Sequence, residues 1–195
     1  MSSLPISKMT VGDYLALDRA AEYKSEFHDG ELYPISAVSF EHSTIAANAT
    51  RRIAEKLDGT PCRVLVQPLR VRVTSAKFVY PDLMVVCGRP EFTDEVQDTV
   101  TNPRVVIEVL SPSTADYDYA TKFQLYRNLP SFTEYLLVEQ NTPKVEVFRH
   151  FEGTDWLLST YAGLNEVVPV KCLNISIPLA ELYAGVEFVE PEAHN

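Results

Sequence analysis

The 195-residue chain is short of several residue types and patterns, and each shortage excludes a class of protein. No apolar run approaches the ~20 residues of a membrane-spanning helix, and the first ten residues, MSSLPISKMT, contain no signal-peptide core. The three cysteines are odd in number and form no paired metal-binding spacing, which fits a reducing compartment. We therefore expect a cytoplasmic protein that has no membrane partner.

Several familiar catalytic motifs are also missing. The chain has no glycine-rich phosphate loop, no HExxH, no GxSxG and no serine three residues before a lysine. Four widely spaced histidines disfavour a zinc site, and a single tryptophan disfavours a sugar-binding groove. The net charge of -10 argues against broad nonspecific binding of nucleic acid. Arg51, Arg52, Arg70, Arg72 and Lys77 leave open a local phosphate-contacting face, although solvated surface charge is the usual explanation for such residues.

What is present indicates an ordinary globular domain, because 46% of the residues are apolar and 23% are charged. Short apolar runs predict strands, and Asp29-Gly30 predicts a hairpin. Residues 88–103 are polar and acidic, and we interpret them as a surface loop. Strands that alternate with helices predict a single α/β domain with a mixed sheet over residues 1–195. Helices are predicted at Thr10 to Arg19, Glu41 to Leu57 and Tyr117 to Leu129, with a short C-terminal helix in PLAELYA.

Two carboxylates interrupt the most apolar strands. Glu108 lies in VVIEVLS and shares a strand face with Val106 and Leu110, and Asp82 begins the apolar run DLMVV. If the two strands are neighbours, both acids can point to one side and form an oxygen cage suited to Mg²⁺ or Mn²⁺. Alternatively, Asp82 caps a strand end and Glu108 pairs with a buried arginine. Each acid taken alone leaves both interpretations open.

The helix that follows Glu108 offers a cation. At ~100° per residue, Asp118 and Lys122 fall on the arc of Leu125 and Leu129, which faces the core. One interpretation is a lysine whose stem covers the core while its ammonium reaches water, assisted by Asp118 one turn earlier. With two inward carboxylates upstream, an active-site ammonium is the competing interpretation.

Two further residues have simpler explanations. His42 lies on the apolar face of its helix, where a histidine is more often structural than a ligand. Glu26, just before the Asp29-Gly30 turn, is interpreted as an acid on a strand surface.

Several blocks of the sequence resemble the Uma-two family of the PD-(D/E)XK nuclease superfamily. The resemblance runs from about Tyr23 to His150, in the expected order, and its most specific part extends from Val105 to Glu139. It implies a restriction-endonuclease-like fold, in which helices flank a central mixed sheet, with an N-terminal helix and a C-terminal strand and helix as extensions. The blocks are EFHDGELYPIS, SFEHSTIAANATRRIAEKL, YPDLMVV, VVIEVLSPSTADYDYATKFQLYRNLPSFTEYLLVEQ and KVEVFRH.

The resemblance also assigns roles. Pro81-Asp82 matches the PD pair and Glu108 the second acid, but Leu110 stands where the superfamily's usual lysine would be. Lys122 matches the lysine that this family supplies from the next helix. His42 and Glu26 match family positions weakly, and Asp118 would position Lys122.

The implied activity is an endodeoxyribonuclease that hydrolyses phosphodiester bonds in DNA. Mg²⁺ or Mn²⁺ would be held by Asp82, Glu108 and the Val109 carbonyl. A homodimer is a family-level expectation. The alternative is a noncatalytic module that uses the nuclease fold for binding or scaffolding.

Overall fold

The computed structural model describes residues 8–35, 37–112 and 114–188, and helices and strands follow one another through most of this range. The helices are α1 (Val11–Ala20), α2 (Phe40–Leu57), a π-helical segment (Tyr117–Lys122) that continues into α3 (Phe123–Tyr126), a 3-10 turn (Lys171–Leu173) and α4 (Leu179–Leu182). The first strands are β1 (Ser25–His28), β2 (Glu31–Pro34), β3 (Cys62–Val66), β4 (Arg70–Thr74), β5 (Lys77–Val79), β6 (Leu83–Cys87) and β7 (Thr99–Val100). The later strands are β8 (Val105–Leu110), β9 (Glu134–Glu139), β10 (Lys144–His150), β11 (Trp156–Ala162), β12 (Val167–Val170) and β13 (Ile175–Pro178).

The strands form three sheets in the described part of the chain. The largest has the order β11-β10-β9-β8-β6-β3, and it is mixed because β8 and β9 are parallel whereas the other neighbours are antiparallel. A second sheet has the order β2-β1-β5-β4-β7, and β12 pairs with β13. The predicted class, a mixed sheet flanked by helices, is confirmed. The single domain predicted for residues 1–195 stays a prediction.

The central strand β8 is covered on both faces, as its continuous apolar sequence predicts. Val105, Ile107 and Val109 pack in one core with the buried residues of α2, namely Ile45, Ala49, Ile53 and Leu57. Val106 and Leu110 pack in a second core with residues of α3 and its flanks, including Phe123, Leu125, Tyr126 and Leu129. Glu108 shares the face of Val106 and Leu110, so it points to the α3 side of the sheet.

Side-chain hydrogen bonds cap the first turns of α1 and α2. The Thr10 side chain accepts a hydrogen bond from the Asp13 N–H, and the Ser39 side chain accepts one from the His42 N–H. Each cap satisfies a backbone donor that has no partner inside its helix. The Asp29-Gly30 turn joins β1 and β2 as predicted, with both residues at positive φ.

The interpretation of residues 88–103 as a loop without regular structure is wrong in part. The segment contains β7, which pairs with β4, and Thr99 and Val100 are fully buried. Its acidic residues do not simply face water. Asp94 and Asp98 both bond the guanidinium of Arg19 in α1, so opposite charges fasten the segment to the first helix.

Three of the five residues that could form a basic face, namely Arg52, Arg70 and Lys77, are paired with acids. Arg70 is only 2% exposed and is bonded to Asp18, Asp98 and Thr99. Arg52 contacts Glu55 and Glu181, and Lys77 contacts Asp29. Strand alternation put Arg70 and Arg72 on one face, but only Arg72 is exposed, because α1 and residues 94–99 supply partners at Arg70.

Two of the three cysteines are joined. Cys62 of β3 lies opposite Cys87 of β6 in the antiparallel register, and the two form a disulfide, while Cys172 is a free thiol. An odd cysteine count with no regular spacing does not reveal this pair, which depends on strand register. The cytoplasmic location stays a prediction. In the described ranges, no helix has both the length and the apolar character needed to cross a membrane.

Candidate active site

The candidate site begins where the backbone ladder between β6 and β8 ends. The last paired residues are Leu83 and Ile107, so Asp82 and Glu108 are the next facing positions. Here side chains replace the ladder, because the Asp82 N–H donates to Glu108 Oε2 at 3.2 Å and the Val109 N–H donates to Asp82 Oδ2 at 2.8 Å. The two predicted acids are therefore neighbours. A strand residue presents its N–H and C=O on the same edge, so the Val109 carbonyl also lies on the Asp82 side.

Lys122 reaches this position from the π-helical segment. Its Nζ lies 3.0 Å from Glu108 Oε1 and 3.2 Å from Asp118 Oδ1, and Lys122 is only 7% exposed. Thr121, Gln124 and Asn128 are exposed, whereas Lys122, Leu125 and Leu129 are buried. The ammonium is therefore held among carboxylates and does not extend to water, and Asp118 lies where a residue that positions Lys122 should be.

The interpretation of Glu26 as a surface acid is wrong. Glu26 is 6% exposed, and its Oε1 lies 3.6 Å from Lys122 Nζ and accepts the Tyr80 N–H at 3.0 Å. Its strand is covered on both sides, with Phe27 packed against Tyr14 of α1 and Glu26 against Tyr117 and Lys122. A four-residue strand beside a turn carries no local signal of this double coverage.

His42 joins the cluster from the first turn of α2. Its Nε2 lies 3.2 Å from Asp82 Oδ1, and the Gln67 amide donates to the same oxygen at 3.1 Å. The Nδ1 of His42 is buried and has no hydrogen-bond partner among the described residues. The histidine is buried, as its helix face predicted, and it also contacts the candidate metal ligand.

Three tyrosines belong to the site, although sequence reasoning gave them no role. Tyr126 donates its hydroxyl to Glu108 Oε1 at 3.0 Å, and Tyr117 donates to Glu26. The Tyr80 carbonyl accepts a 3.4 Å hydrogen bond from Lys122 Nζ. Of the three, only Tyr126 could have been placed near the site from the sequence, because it lies one helical turn after Lys122 on the same inward arc.

The cluster has more acids than cations, and both burial and the neighbouring charges shift its pKa values. Burial raises the pKa of Glu108 well above its usual range, against the opposing effect of the Lys122 ammonium. Burial acts to lower the pKa of Lys122, but the Glu108, Glu26 and Asp118 carboxylates raise it well above its usual value. Burial also raises the pKa of Asp118. Lys122 therefore stays an ammonium ion, and a bound cation would favour the ionised form of Glu108.

Glu26 behaves differently from the other acids. Burial acts to raise its pKa, but the Lys122 charge and hydrogen bonds from His28, Tyr117 and the Tyr80 N–H lower it to about 2. Glu26 thus remains ionised and supplies a permanent negative charge beside Lys122.

All of these residues except His28 and Tyr126 line a pocket of about 410 Å³, which also includes Tyr33, Val38, Ser39, Gln67 and Gln140. In the described ranges, no group of three or more His, Cys, Asp or Glu side chains forms a ready metal cage. The site nevertheless fits Mg²⁺ or Mn²⁺, because the oxygens of Asp82, Glu108 and Val109 are hard ligands. Mg²⁺ commonly binds through one or two carboxylates and completes its shell with water or substrate phosphate.

Known proteins resemble this chain over most of its length. Residues 11–180 match the model of the Uma2 family, described as "Putative restriction endonuclease". An uncharacterized protein of Synechocystis sp. (strain ATCC 27184 / PCC 6803 / Kazusa) is 34% identical over 168 residues, covering 86% of this chain and 95% of that protein. A second uncharacterized protein of the same organism is 29% identical over 187 residues, covering 95% of this chain and 97% of that protein.

The fold is also found in a crystal structure. A putative nuclease belonging to DUF820 from Anabaena variabilis ATCC 29413 superposes with a TM-score of 0.74 and 17% identity, covering 90% of this chain and 98% of that one. At this identity the superposition supports the fold. The resemblance to the Uma-two family is confirmed by the family match, which spans most of the chain. The chain therefore belongs to the Uma2 family and shares the fold of this putative nuclease.

Proposed function

We propose that this protein is a metal-dependent endonuclease that hydrolyses phosphodiester bonds in DNA. The observation that carries the proposal is the convergence of Asp82, Glu108 and Lys122 at one end of the β6–β8 ladder, inside a pocket. The superfamily's lysine position is occupied by Leu110, and Lys122 brings an ammonium to the second acid from a different element.

In the proposed site, Asp82, Glu108 and the Val109 carbonyl would hold Mg²⁺ or Mn²⁺. When bound, such an ion polarises the phosphate and lowers the pKa of a water molecule. Lys122 would donate hydrogen bonds to the attacking water or to the phosphate oxygens, where negative charge develops. Three carboxylates within 3.6 Å of its Nζ keep the ammonium charged, which favours this donor role over proton abstraction.

The neighbouring residues would keep these groups in place. Asp118 and Glu26 contact Lys122 on two sides and restrict where its ammonium can lie. Tyr126 shares Glu108 Oε1 with Lys122, while His42 and Gln67 hold Asp82 Oδ1. Such contacts orient ligands without contacting substrate.

Metal binding is tested first, by calorimetric titration with Mn²⁺. Asp82→Asn and Glu108→Gln remove one ligand charge each with little change of shape, so we expect either variant to lose measurable binding. The control is Glu55→Gln, which changes the same charge at an exposed position of α2. Unchanged Mn²⁺ affinity in either site variant would overturn the metal assignment.

Catalysis is tested by cleavage of single- and double-stranded DNA with Mg²⁺ or Mn²⁺. We expect Lys122→Met to lower the rate by roughly 100- to 1,000-fold, the usual effect of removing one donor to developing charge. Equal rates in wild type and Lys122→Met would remove the lysine from the mechanism. Metal binding without cleavage of any nucleic acid would favour the noncatalytic binding or scaffolding module. The homodimer stays a prediction, which the molar mass in solution would test.

A further inference from the structure

Part of the pocket lining is apolar and exposed, in contrast to its acidic interior. The end of β2 contributes Tyr33 and Pro34 to the lining, and Ile35, Ala37 and Val38 follow between β2 and α2. Tyr33 is 48% exposed and Val38 is 52% exposed, although both lie at a pocket with buried charges. Exposed apolar side chains that border a polar cleft are typical of a ligand-binding surface.

Strand register puts the Tyr33 ring on the same side as the proposed catalytic groups. Tyr33 of β2 lies directly opposite Glu26 of β1, and facing residues of an antiparallel pair project to the same face. The ring also makes an edge contact with His28, at 5.2 Å between centroids. The aromatic face therefore lies beside the Glu26–Lys122 pair and not on the core side, where Phe27 is buried.

The charges of the lining do not favour a nucleic acid held mainly by its phosphates. Lys122 is the one Lys or Arg among the described lining residues, and its ammonium faces Glu26, Glu108 and Asp118, with Asp82 beside Glu108. Duplex binding usually depends on neutralising several phosphates with Lys and Arg. The chain as a whole carries a net charge of -10. Affinity must therefore come from a bound metal and from uncharged contacts.

The size of the pocket limits what can enter. At about 410 Å³ it lies in the range of small-ligand pockets, so it has room for about one nucleotide but not for a base-paired duplex. A nucleobase has an apolar face that can stack on a tyrosine, and it becomes available for stacking only when it is unpaired.

We propose that the pocket binds single-stranded nucleic acid, with one unpaired base against Tyr33 and Val38 and its phosphate directed to the metal ion that Asp82 and Glu108 would hold. This inference deepens the proposed function and rests on it. Binding depends on the unpaired base and on few phosphate contacts, so the protein prefers single strands and free ends to intact duplexes.

The test is fluorescence anisotropy with a labelled thymidine oligonucleotide, its matched duplex and a duplex with an unpaired overhang, each in Ca²⁺. We expect the single strand to bind at least tenfold more tightly than the blunt duplex, and the overhang to restore binding. Tyr33→Ala weakens binding of the single strand by roughly 5- to 150-fold, the range measured for loss of one stacking aromatic. Tyr33→Phe keeps the ring and stays within about twofold of wild type.

Tyr23→Ala is the matched control, because Tyr23 is an exposed aromatic outside the pocket lining. Duplex binding equal to or tighter than single-strand binding, or an unchanged affinity in Tyr33→Ala, overturns the inference. Equal cleavage of blunt duplex and single strand refutes the substrate preference but supports the proposed nuclease activity. Tyr33-dependent binding of single strands without any cleavage supports the base pocket and refutes hydrolysis.

Discussion

The molecule contains two buried charge clusters, each with one buried cation among carboxylates, and they differ in how well the charges are matched. Around Arg70, each guanidinium nitrogen has its own acceptor, in Thr99, Asp18 and Asp98. Around Lys122, one ammonium faces Glu26, Glu108 and Asp118, with Asp82 beside Glu108. The Arg70 cluster lies outside the pocket lining, whereas the Lys122 cluster forms part of it.

The difference indicates which cluster is structural and which is functional. A buried cation with matched acceptors needs nothing further, and its removal should affect stability alone. Surplus carboxylates around one buried cation are typical of functional sites, so the Lys122 cluster is the candidate for function. Arg19 extends the Arg70 cluster by bonding Asp94 and Asp98, which ties the first helix to the sheet.

The two clusters meet at Tyr80. Its hydroxyl donates to Asp18 at 2.6 Å, its N–H donates to Glu26, and its carbonyl accepts from Lys122. One residue therefore connects the structural cluster to the candidate active site.

The strongest test of the comparison is Arg70→Met. We expect a loss of about 3–5 kcal/mol in unfolding free energy, because Asp18 and Asp98 lose their buried cation. Urea denaturation measures the change. Arg72→Met alters an exposed arginine of the same strand and should stay within about 0.5 kcal/mol of wild type. A loss below about 1 kcal/mol for Arg70→Met would contradict a structural role for its cluster.

A second test uses the pH dependence of Glu26. Its pKa is about 2 in the folded protein, against an ordinary value of 4.5, so its ionised form stabilises the fold above about pH 4.5. This contribution, about 3 kcal/mol at most, is lost as the pH falls toward 2. The unfolding free energies of wild type and Glu26→Gln should therefore converge on acidification.

The control for this measurement is Glu31→Gln, which removes an exposed carboxylate from the same hairpin. A difference between wild type and Glu26→Gln that stays constant from about pH 6 to pH 3 would contradict the lowered pKa of Glu26. It would also contradict a charge interaction between ionised Glu26 and the Lys122 ammonium.

The smallest expected effect is the loss of stability when the cap of α1 or of α2 is removed. Thr10→Ala in α1 and Ser39→Ala in α2 should each cost about 1 kcal/mol of unfolding free energy. Only Ser39→Ala should also weaken Mn²⁺ binding, because Ser39 caps the turn that carries His42 to Asp82. Thr10→Ser and Ser39→Thr keep a capping hydroxyl, so both variants should keep the stability of the wild type. Ser39→Thr should also keep the wild-type affinity for Mn²⁺. Equal effects of the two alanine variants on Mn²⁺ affinity would contradict a special role of the α2 cap in metal binding.

Much of the candidate site could be predicted from local pattern. Strand alternation puts Glu108 on the face of Val106 and Leu110, and helical periodicity turns Asp118 and Lys122 inward. Both repeats are set by backbone geometry over a few residues, so they are readable in the sequence. The family resemblance then supplied the pairing of Asp82 with Glu108, which the β6–β8 register bears out.

The sequence by itself determined the mixed α/β class, the α2 and β8 elements, and the inward direction of Glu108 and Lys122. Only the tertiary structure decided that Glu26 is buried beside Lys122, that Arg70 is neutralised by Asp18 and Asp98, and that Cys62 faces Cys87. The physical reason is that these partners lie far apart along the chain. A charge becomes buried or neutralised through the elements that pack over it, and no local repeat encodes which elements those are.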